Sequence, residues 1–359
     1  MGSRKRDPYA VPDYGTDRPI DKAAARRKRI KWALAIVGGL TALVLILGVA
    51  MAAWLNSSLG NISKVDVTVP EENRPEETGS GALNILLMGT DAGTERNGAG
   101  TSIINDAASG DWPSGKYRSD ATMVMHVPSD RSGVYIVSIP RDSYVPIYDD
   151  QGEQASTQKI NAALSIHGPS GALSTVENLT DIRLDHFAMI DWDGFKAITD
   201  ALGGVTMQLA EGGSKKFSGE EALAYVRVRK TLPNGDFDRI KRQQNYMRAI
   251  ASGVLSKGTL SNPLQLKDTL DAVTQNLAVD AAWTSEDIRS LAVSMRSVRT
   301  GDMKFVTVPT NGTANDPVAG SIVLLDDAGC AELFDAMRND TMSEWMAAHP
   351  DANLGYIVN

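Results

Sequence analysis

Six cations and two acids fall within residues 227–242, in a chain whose formal net charge is −8. The segment runs Tyr225-Val226-Arg227-Val228-Arg229-Lys230, and then Gly235-Asp236-Phe237-Asp238-Arg239-Ile240-Lys241-Arg242-Gln243-Gln244. Val226 and Val228 alternate with Arg227 and Arg229, which reads as a strand with one apolar and one cationic face, because strand side chains repeat every two residues. On the helix expected next, Arg239 and Gln243 are four apart and share a face. Guanidinium groups held in this way make a fork suited to phosphate oxygens. A solvated basic surface would use the same residues, and spacing alone leaves both readings standing.

Further up the chain, Arg141 follows the apolar run VYIVSIP, and Lys159 precedes Ile160-Asn161. A cation just past a strand end is where α/β sheets place ligand groups, although each residue taken singly also reads as surface. Asp91 follows the run LNILLM, and Asp120 precedes ATMVMHV. If those two strands pair, both carboxylates lie at one sheet edge. Carboxylates beside phosphate oxygens suit Mg²⁺. As turn-forming aspartates they would need no metal.

The elements that must position these residues are legible in outline. Leu83–Met88 reads as a buried strand. Residues 92–118, rich in Gly, Asn and Ser, read as an exposed loop. Ala121–Val127 and Val134–Ile139 read as a hairpin around Pro128–Gly133. Helical patterns open at Ile160 and Gly194, and Gly203-Gly204 stops the second before a strand at Val205–Leu209. Ser218 with Glu221 makes a capping-box helix start, and Arg239–Leu255 continues as helix. Strands alternating with helices give an α/β class, with a central mixed β-sheet flanked by helices.

Charge divides the chain. Residues 1–31 hold ten basic and four acidic side chains, residues 32–55 hold none, and the remainder carries −14. The uncharged stretch Trp32–Leu55 has 24 residues. At 1.5 Å per residue it can cross a ~30 Å hydrocarbon core. Trp32 and Trp54 sit at its two ends, and Lys22, Arg26, Arg27, Lys28, Arg29 and Lys31 precede it. The positive-inside rule then puts the amino terminus in the cytoplasm and the rest outside. The run is longer than a signal-peptide core, although Ala50-Met51-Ala52 resembles a cleavage site. The organisation expected is a basic, disordered cytoplasmic tail at 1–31, a transmembrane helix at 32–55, a polar stalk at 56–82 and an extracytoplasmic domain at 83–359.

Several classes are excluded. The acidic outer part argues against a nucleic-acid binder. The single cysteine, Cys330, rules out an internal disulfide and a thiolate zinc site, and reads as a small buried apolar residue. Four scattered histidines give no metal spacing. GxxxxGK[ST] and GxSxG are absent, which argues against a P-loop ATPase and a serine hydrolase of the α/β-hydrolase fold.

The motifs NILLMGTD, RSDATMVMHV, VSIPRDSYV, KINAA, DHFAMIDWDGFKAITDALGGV, FSGEEALAYVRVRK and GDFDRIKRQQ stand in this order from about Leu83 to Leu255, with a weaker echo to about Asp340. As a set they resemble the LytR-CpsA-Psr family, as does the layout of tail, span and outer domain. The resemblance implies an enzyme of Gram-positive cell-wall assembly. Such an enzyme transfers a glycopolymer from a polyprenyl-pyrophosphate carrier to a muramic acid hydroxyl of peptidoglycan, forming a phosphodiester. It implies an α/β sheet flanked by helices, with a long apolar pocket for the prenyl chain. Carried over position by position, Arg141, Lys159, Arg227, Arg229, Arg239 and Gln243 would bind the pyrophosphate. Asp91 and Asp120 would hold Mg²⁺ (or Mn²⁺). Asp236 would be a general base or a further metal ligand. Asp238 stands where a glycine is common, and the loop at 92–118 looks longer than usual. Direct attack by the sugar hydroxyl needs no nucleophilic side chain, and charge neutralisation dominates such chemistry. The alternatives are a polyprenyl-pyrophosphate pyrophosphatase and a non-catalytic lipid- or glycan-binding regulator.

Overall fold

The run Leu83–Thr90 forms a strand, β2, that is buried along most of its length. A central strand packed on both faces needs apolar residues in succession rather than alternation, and LNILLM supplies them. In the computed structural model the described residues are 57–355, except 91–102, 111, 210–211, 229–231 and 234. The expected tail and span at 1–55, and two proposed site residues, Asp91 and Arg229, lie outside them. Among the described residues no helix is long and apolar enough to cross a membrane.

The strands are β1 (Ser63–Val65), β2, β3 (Ser119–Val127), β4 (Val134–Ile139), β5 (Tyr144–Tyr148), β6 (Gln154–Lys159), β7 (His186–Asp191), β8 (Val205–Gln208), β9 (Ser214–Phe217), β10 (Leu277–Asp280), β11 (Met303–Thr307), β12 (Thr310–Asp316) and β13 (Gly320–Leu325). The helices are α1 (Ile103–Ala108), α2 (Asn161–Thr180), α3 (Trp192–Ala201), α4 (Gly219–Arg227), α5 (Asp236–Val254), α6 (Lys257–Ser261), α7 (Pro263–Asn276), α8 (Ser285–Ser294), α9 (Asp327–Arg338) and α10 (Met342–Ala348). Seven strands form one sheet in the order β1-β10-β7-β2-β3-β4-β11. It is mixed: β1 with β10, β2 with β7 and β4 with β11 are parallel, and the other neighbours are antiparallel. The pairs β5–β6, β8–β9 and β12–β13 form separate hairpins. The α/β class and the hairpin of β3 and β4 agree with the sequence reading.

One sheet face carries Leu86, Met88, Val124, Val137, Phe187 and Met189 against Leu164 and Val176 of α2 and Leu333 and Met337 of α9. Each such side chain contributes roughly 1.5–3 kcal/mol by leaving water. The kink in α2 has a local cause. Gly168 lies at φ 67°, ψ −164°, followed by Pro169. A Cβ there would meet Trp112 Cγ at 3.0 Å, so a residue without one lets the Trp112 ring pack against the kink. Cys330 is buried, and burial pushes its thiol up to about 11, as suits an inert core residue.

Beyond the expected loop at 92–118, where Ile103–Ala108 forms α1 and Ile103, Ile104 and Tyr117 are buried in the core, two expectations need correction. Residues 225–227 are not strand, because they form the last turn of helix α4. The capping box of Ser218 and Glu221 starts that helix, and Ala222 and Val226, four apart, are both fully buried. The apolar period that tertiary packing uses is therefore helical, and the valine–arginine alternation is incidental. The second correction concerns residues 56–82. Composition suggested a free stalk, yet β1 is an edge strand of the main sheet, with Ser63 opposite Ala278. Val65 and Val69 enter the core. Arg74 then places both Nε and Nη2 on the carboxylate of the fully buried Glu177, with Nη2 2.6 Å from Oε1. A strand edge asks mainly for backbone hydrogen bonds, so a polar, Pro-flanked sequence hides it.

Candidate active site

The antiparallel register of β2 and β3 sets Thr90, the last residue of β2, opposite Ser119. Asp120 therefore stands where β2 ends, and Asp91, the other residue expected at this edge, lies outside the described residues. β4 runs antiparallel to β3, so its carboxyl end meets the start of β3 and delivers Arg141 there. Arg141 Nη1 donates to Asp120 Oδ1. Arg141 Nε also lies 3.7 Å from Asp142 Oδ1, and Lys159 Nζ lies 3.6 Å from the same oxygen. Lys159 comes from the end of β6 and faces Tyr144 across the β5–β6 hairpin. The result is an alternating chain of charges, Asp120–Arg141–Asp142–Lys159, at one sheet edge.

Helix α5 brings the next group. Gly235, at φ 54°, turns the chain into it. Gln244 touches the carboxyl end of β4 and Met247 packs further back along it, so the amino-terminal, positive end of the helix lies toward the strand ends, a setting that favours anions. Gln244 fastens the helix across the strand ends by donating to Ser138 Oγ at 2.7 Å, to the Val306 carbonyl and to Thr307 Oγ1. Arg239 and Gln243, one turn apart as expected, are both nearly fully buried. Arg239 Nη2 lies 2.6 Å from Asp236 Oδ1, an ion pair without hydrogen-bond alignment.

Arg227 reaches the same end of the sheet from α4. Its guanidinium lies over the Trp192 ring, 5.9 Å from the centroid. Trp192 follows Asp191, the last residue of β7, whose partner in the sheet is Thr90. Asp191 caps α3 by accepting from the Gly194 N–H at 2.7 Å, and burial pushes its carboxyl above the usual range.

Buried side-chain atoms with no hydrogen-bond partner gather here. Among the described residues they include Thr90 Oγ1, Arg141 Nε, Ser143 Oγ, Trp192 Nε1 and Arg239 Nε, whereas only Ser174 Oγ and Trp345 Nε1 belong to other regions. Buried polar groups are normally satisfied, so a cluster of orphaned donors marks where a ligand supplies acceptors.

The second sheet face completes the geometry. Leu87, Ala121 and Met125 lie on the central strands, yet they are only partly buried. They pack between two small apolar clusters, one around Ile85, Val279 and Trp283 and the other around Met123, Ile136 and Phe305. Ile288 and Leu291 of α8 approach the first cluster, and Met247 and Met295 the second. The middle of this face is therefore an apolar trough rather than a closed core. At Gly89 the neighbouring side chains come close, since a Cβ there would stand 3.1 Å from Ala121 Cβ and 3.8 Å from Phe195.

Of the residues singled out in the sequence, the structure brings Asp120, Arg141 and Lys159 into one network. It places Arg239, Gln243 and Asp236 on the first turns of α5 and puts Arg227 at the end of α4. Trp192 escaped the sequence reading. Its one signal is an aromatic residue directly after a strand-ending aspartate.

Comparison with known proteins agrees with this architecture. The LytR_cpsA_psr family model matches residues 54–338. The cell wall biosynthesis protein LcpA of Corynebacterium glutamicum is 33% identical over 71% of this chain, and the match spans 55% of the relative's own length. The polyisoprenyl-teichoic acid–peptidoglycan teichoic acid transferase TagU of Bacillus anthracis is 30% identical over 70% of this chain and 78% of its own. Protein gbs0355 of Streptococcus agalactiae, a solved structure, superposes with a TM-score of 0.60 at 25% identity, covering 73% of this chain and 88% of its own. On the family match and these likenesses, the chain belongs to the LytR_cpsA_psr family.

Proposed function

We propose that the protein transfers a glycopolymer from a polyprenyl-pyrophosphate carrier to a peptidoglycan hydroxyl, making a phosphodiester in Gram-positive cell-wall assembly. The observation that carries this is the junction of two unlike surfaces: a cationic strand-end group in which Arg141 and Lys159 are partly buried and Arg239 is buried, and an apolar trough through Leu87, Ala121 and Met125 beside it. A prenyl pyrophosphate has the same two halves. The related TagU of Bacillus anthracis is named for a polyisoprenyl-linked donor and a peptidoglycan acceptor, which supports the same reading.

In this reading Arg141, Lys159, Arg227, Arg229, Arg239 and Gln243 bind the pyrophosphate and balance its charge, which positioning-dominated phosphoryl transfer requires. The acceptor hydroxyl attacks the phosphorus that carries the glycan, and prenyl phosphate leaves. Asp236, beside Arg239, or Asp120 takes the hydroxyl proton. Asp120 and Asp91 would hold Mg²⁺ or Mn²⁺, since such a cation takes one or two carboxylates plus phosphate oxygens. Asp120, a partly buried carboxylate at the strand end, suits that role. Among the described residues no group of three or more His, Cys, Asp or Glu forms a complete metal cage. When bound, the cation neutralises charge on the phosphates. The span at 32–55 would keep the domain on the extracytoplasmic face of the cell membrane, where lipid-linked donor and peptidoglycan meet.

The deciding experiment incubates the detergent-solubilised full chain with a prenyl-pyrophosphate glycan, with and without peptidoglycan. Glycan–peptidoglycan phosphodiester and prenyl phosphate are expected to appear together, dependent on acceptor. Release of prenyl phosphate at the same rate with water alone would make the protein a pyrophosphatase instead. The trough has its own check. Met125→Trp fills its middle, and is expected to raise the donor KM about tenfold for a long prenyl chain while leaving a short-chain analogue unchanged. An equal effect on both donors would remove the trough from the donor site.

A further inference from the structure

We propose that Trp192 is a positioning residue for Arg227, and that its buried indole N–H is a further hydrogen-bond donor for the anionic group Arg227 binds. The inference rests on the reading of this sheet edge as a phosphate site. Three constraints hold the ring. Asp191, the residue before it, is locked in register opposite Thr90. The Asp191 carboxylate caps the helix that Trp192 begins, so the chain direction at Trp192 is set. Phe195, one turn further along, packs on the ring at 5.7 Å.

Arg227 has no comparable constraint of its own. It is an exposed residue at the last turn of α4, next to residues 229–231, which lie outside those described. The indole face is the rigid surface against which its guanidinium lies, at a distance within the range for cation–π attraction. That leaves the guanidinium's in-plane donors available to an anion. The indole N–H itself is buried without an acceptor, in a residue only 3% exposed. Indole N–H groups normally find a partner when buried, so an acceptor from a ligand is the missing element. Two uncharged requirements, a flat ring and an N–H, are thus met by one side chain beside the arginine.

The test is a double-mutant cycle in the full chain, reading donor KM and kcat separately. Trp192→Phe keeps an aromatic face beneath Arg227 but loses the N–H together with the five-membered ring that carries it. It is expected to raise the donor KM about tenfold, with kcat and thermal midpoint close to wild type. Trp192→Leu removes the ring and is expected to lower kcat/KM by at least tenfold. In an Arg227→Ala background the same Leu substitution is expected to cost little more, because the ring acts through the arginine. Full additivity of the two losses, or a Trp192→Phe enzyme with wild-type donor KM, overturns the proposal. An Arg227→Ala enzyme with wild-type transfer would instead overturn the phosphate-site reading beneath it.

Discussion

Replacing Arg141 with alanine is expected to slow glycan transfer by about 10²–10³-fold, the scale seen when one preorganised donor to a developing oxyanion is removed. Arg141 is the hub of the strand-end network. It holds Asp120 through Nη1 and approaches Asp142 through Nε, and Asp142 in turn faces Lys159. Without it, Asp120 loses its cation, and of the four-residue network only Lys159 remains to offset Asp120 and Asp142. The side chain is largely buried but belongs to no apolar cluster, so the thermal midpoint is expected to move little. Arg141→Lys keeps the charge and loses the planar fork, and is expected to recover only part of the rate. Single-turnover transfer measured on purified full-length variants decides the matter. An alanine variant within threefold of wild type would show that Arg141 does not touch the transferred phosphate.

Arg74→Ala is expected to destabilise the domain by about 3–5 kcal/mol, although the residue lies in the segment whose composition suggested a stalk. The reason is burial on the other side of the pair: Glu177 is 0% exposed, and its carboxylate meets both Nε and Nη2 of Arg74. The Leu184 N–H also donates to Glu177 Oε1. Removing the guanidinium leaves a buried charge with one backbone donor. For a domain of this size the loss corresponds to a fall of roughly 6–15 °C in thermal midpoint, readable by circular dichroism. Adding Glu177→Gln removes the stranded charge and keeps an acceptor for Leu184, so the double variant is expected to regain part of the loss. A midpoint unchanged by Arg74→Ala would mean that residues 57–82 are not fastened to the domain in the way the structure shows.

What could be read without coordinates was local. The apolar run LNILLM, the capping box at Ser218 and the turn at Pro128–Gly133 are short-range signals, and each element stands where they put it. The site residues were legible as types, but taken singly each also reads as surface or turn, and it was the ordered set of motifs that marked them as ligand groups. Where the local signal was ambiguous it misled. Tyr225–Lys230 alternates like a strand, but Ala222 and Val226 are drawn into one buried face, and the energy of that burial exceeds any preference in a six-residue pattern.

The order of charged residues, their segregation from the uncharged stretch and the motif series were properties of the sequence alone, and they sufficed for the family and for most of the candidate ligand groups. Tertiary structure decided how those groups are coupled. Only the pairing of β2, β3 and β4 makes Asp120, Arg141 and Asp142 one network, and only the packing of α3 against the end of α4 sets Trp192 under Arg227. The attachment of β1 to β10 and of Arg74 to Glu177 likewise depends on contacts between residues more than a hundred positions apart. Such contacts leave no periodic trace in either segment. A partner far along the chain is specified by the closed sheet and core as a whole, and an edge strand or a single ion pair asks too little of its own sequence to announce it.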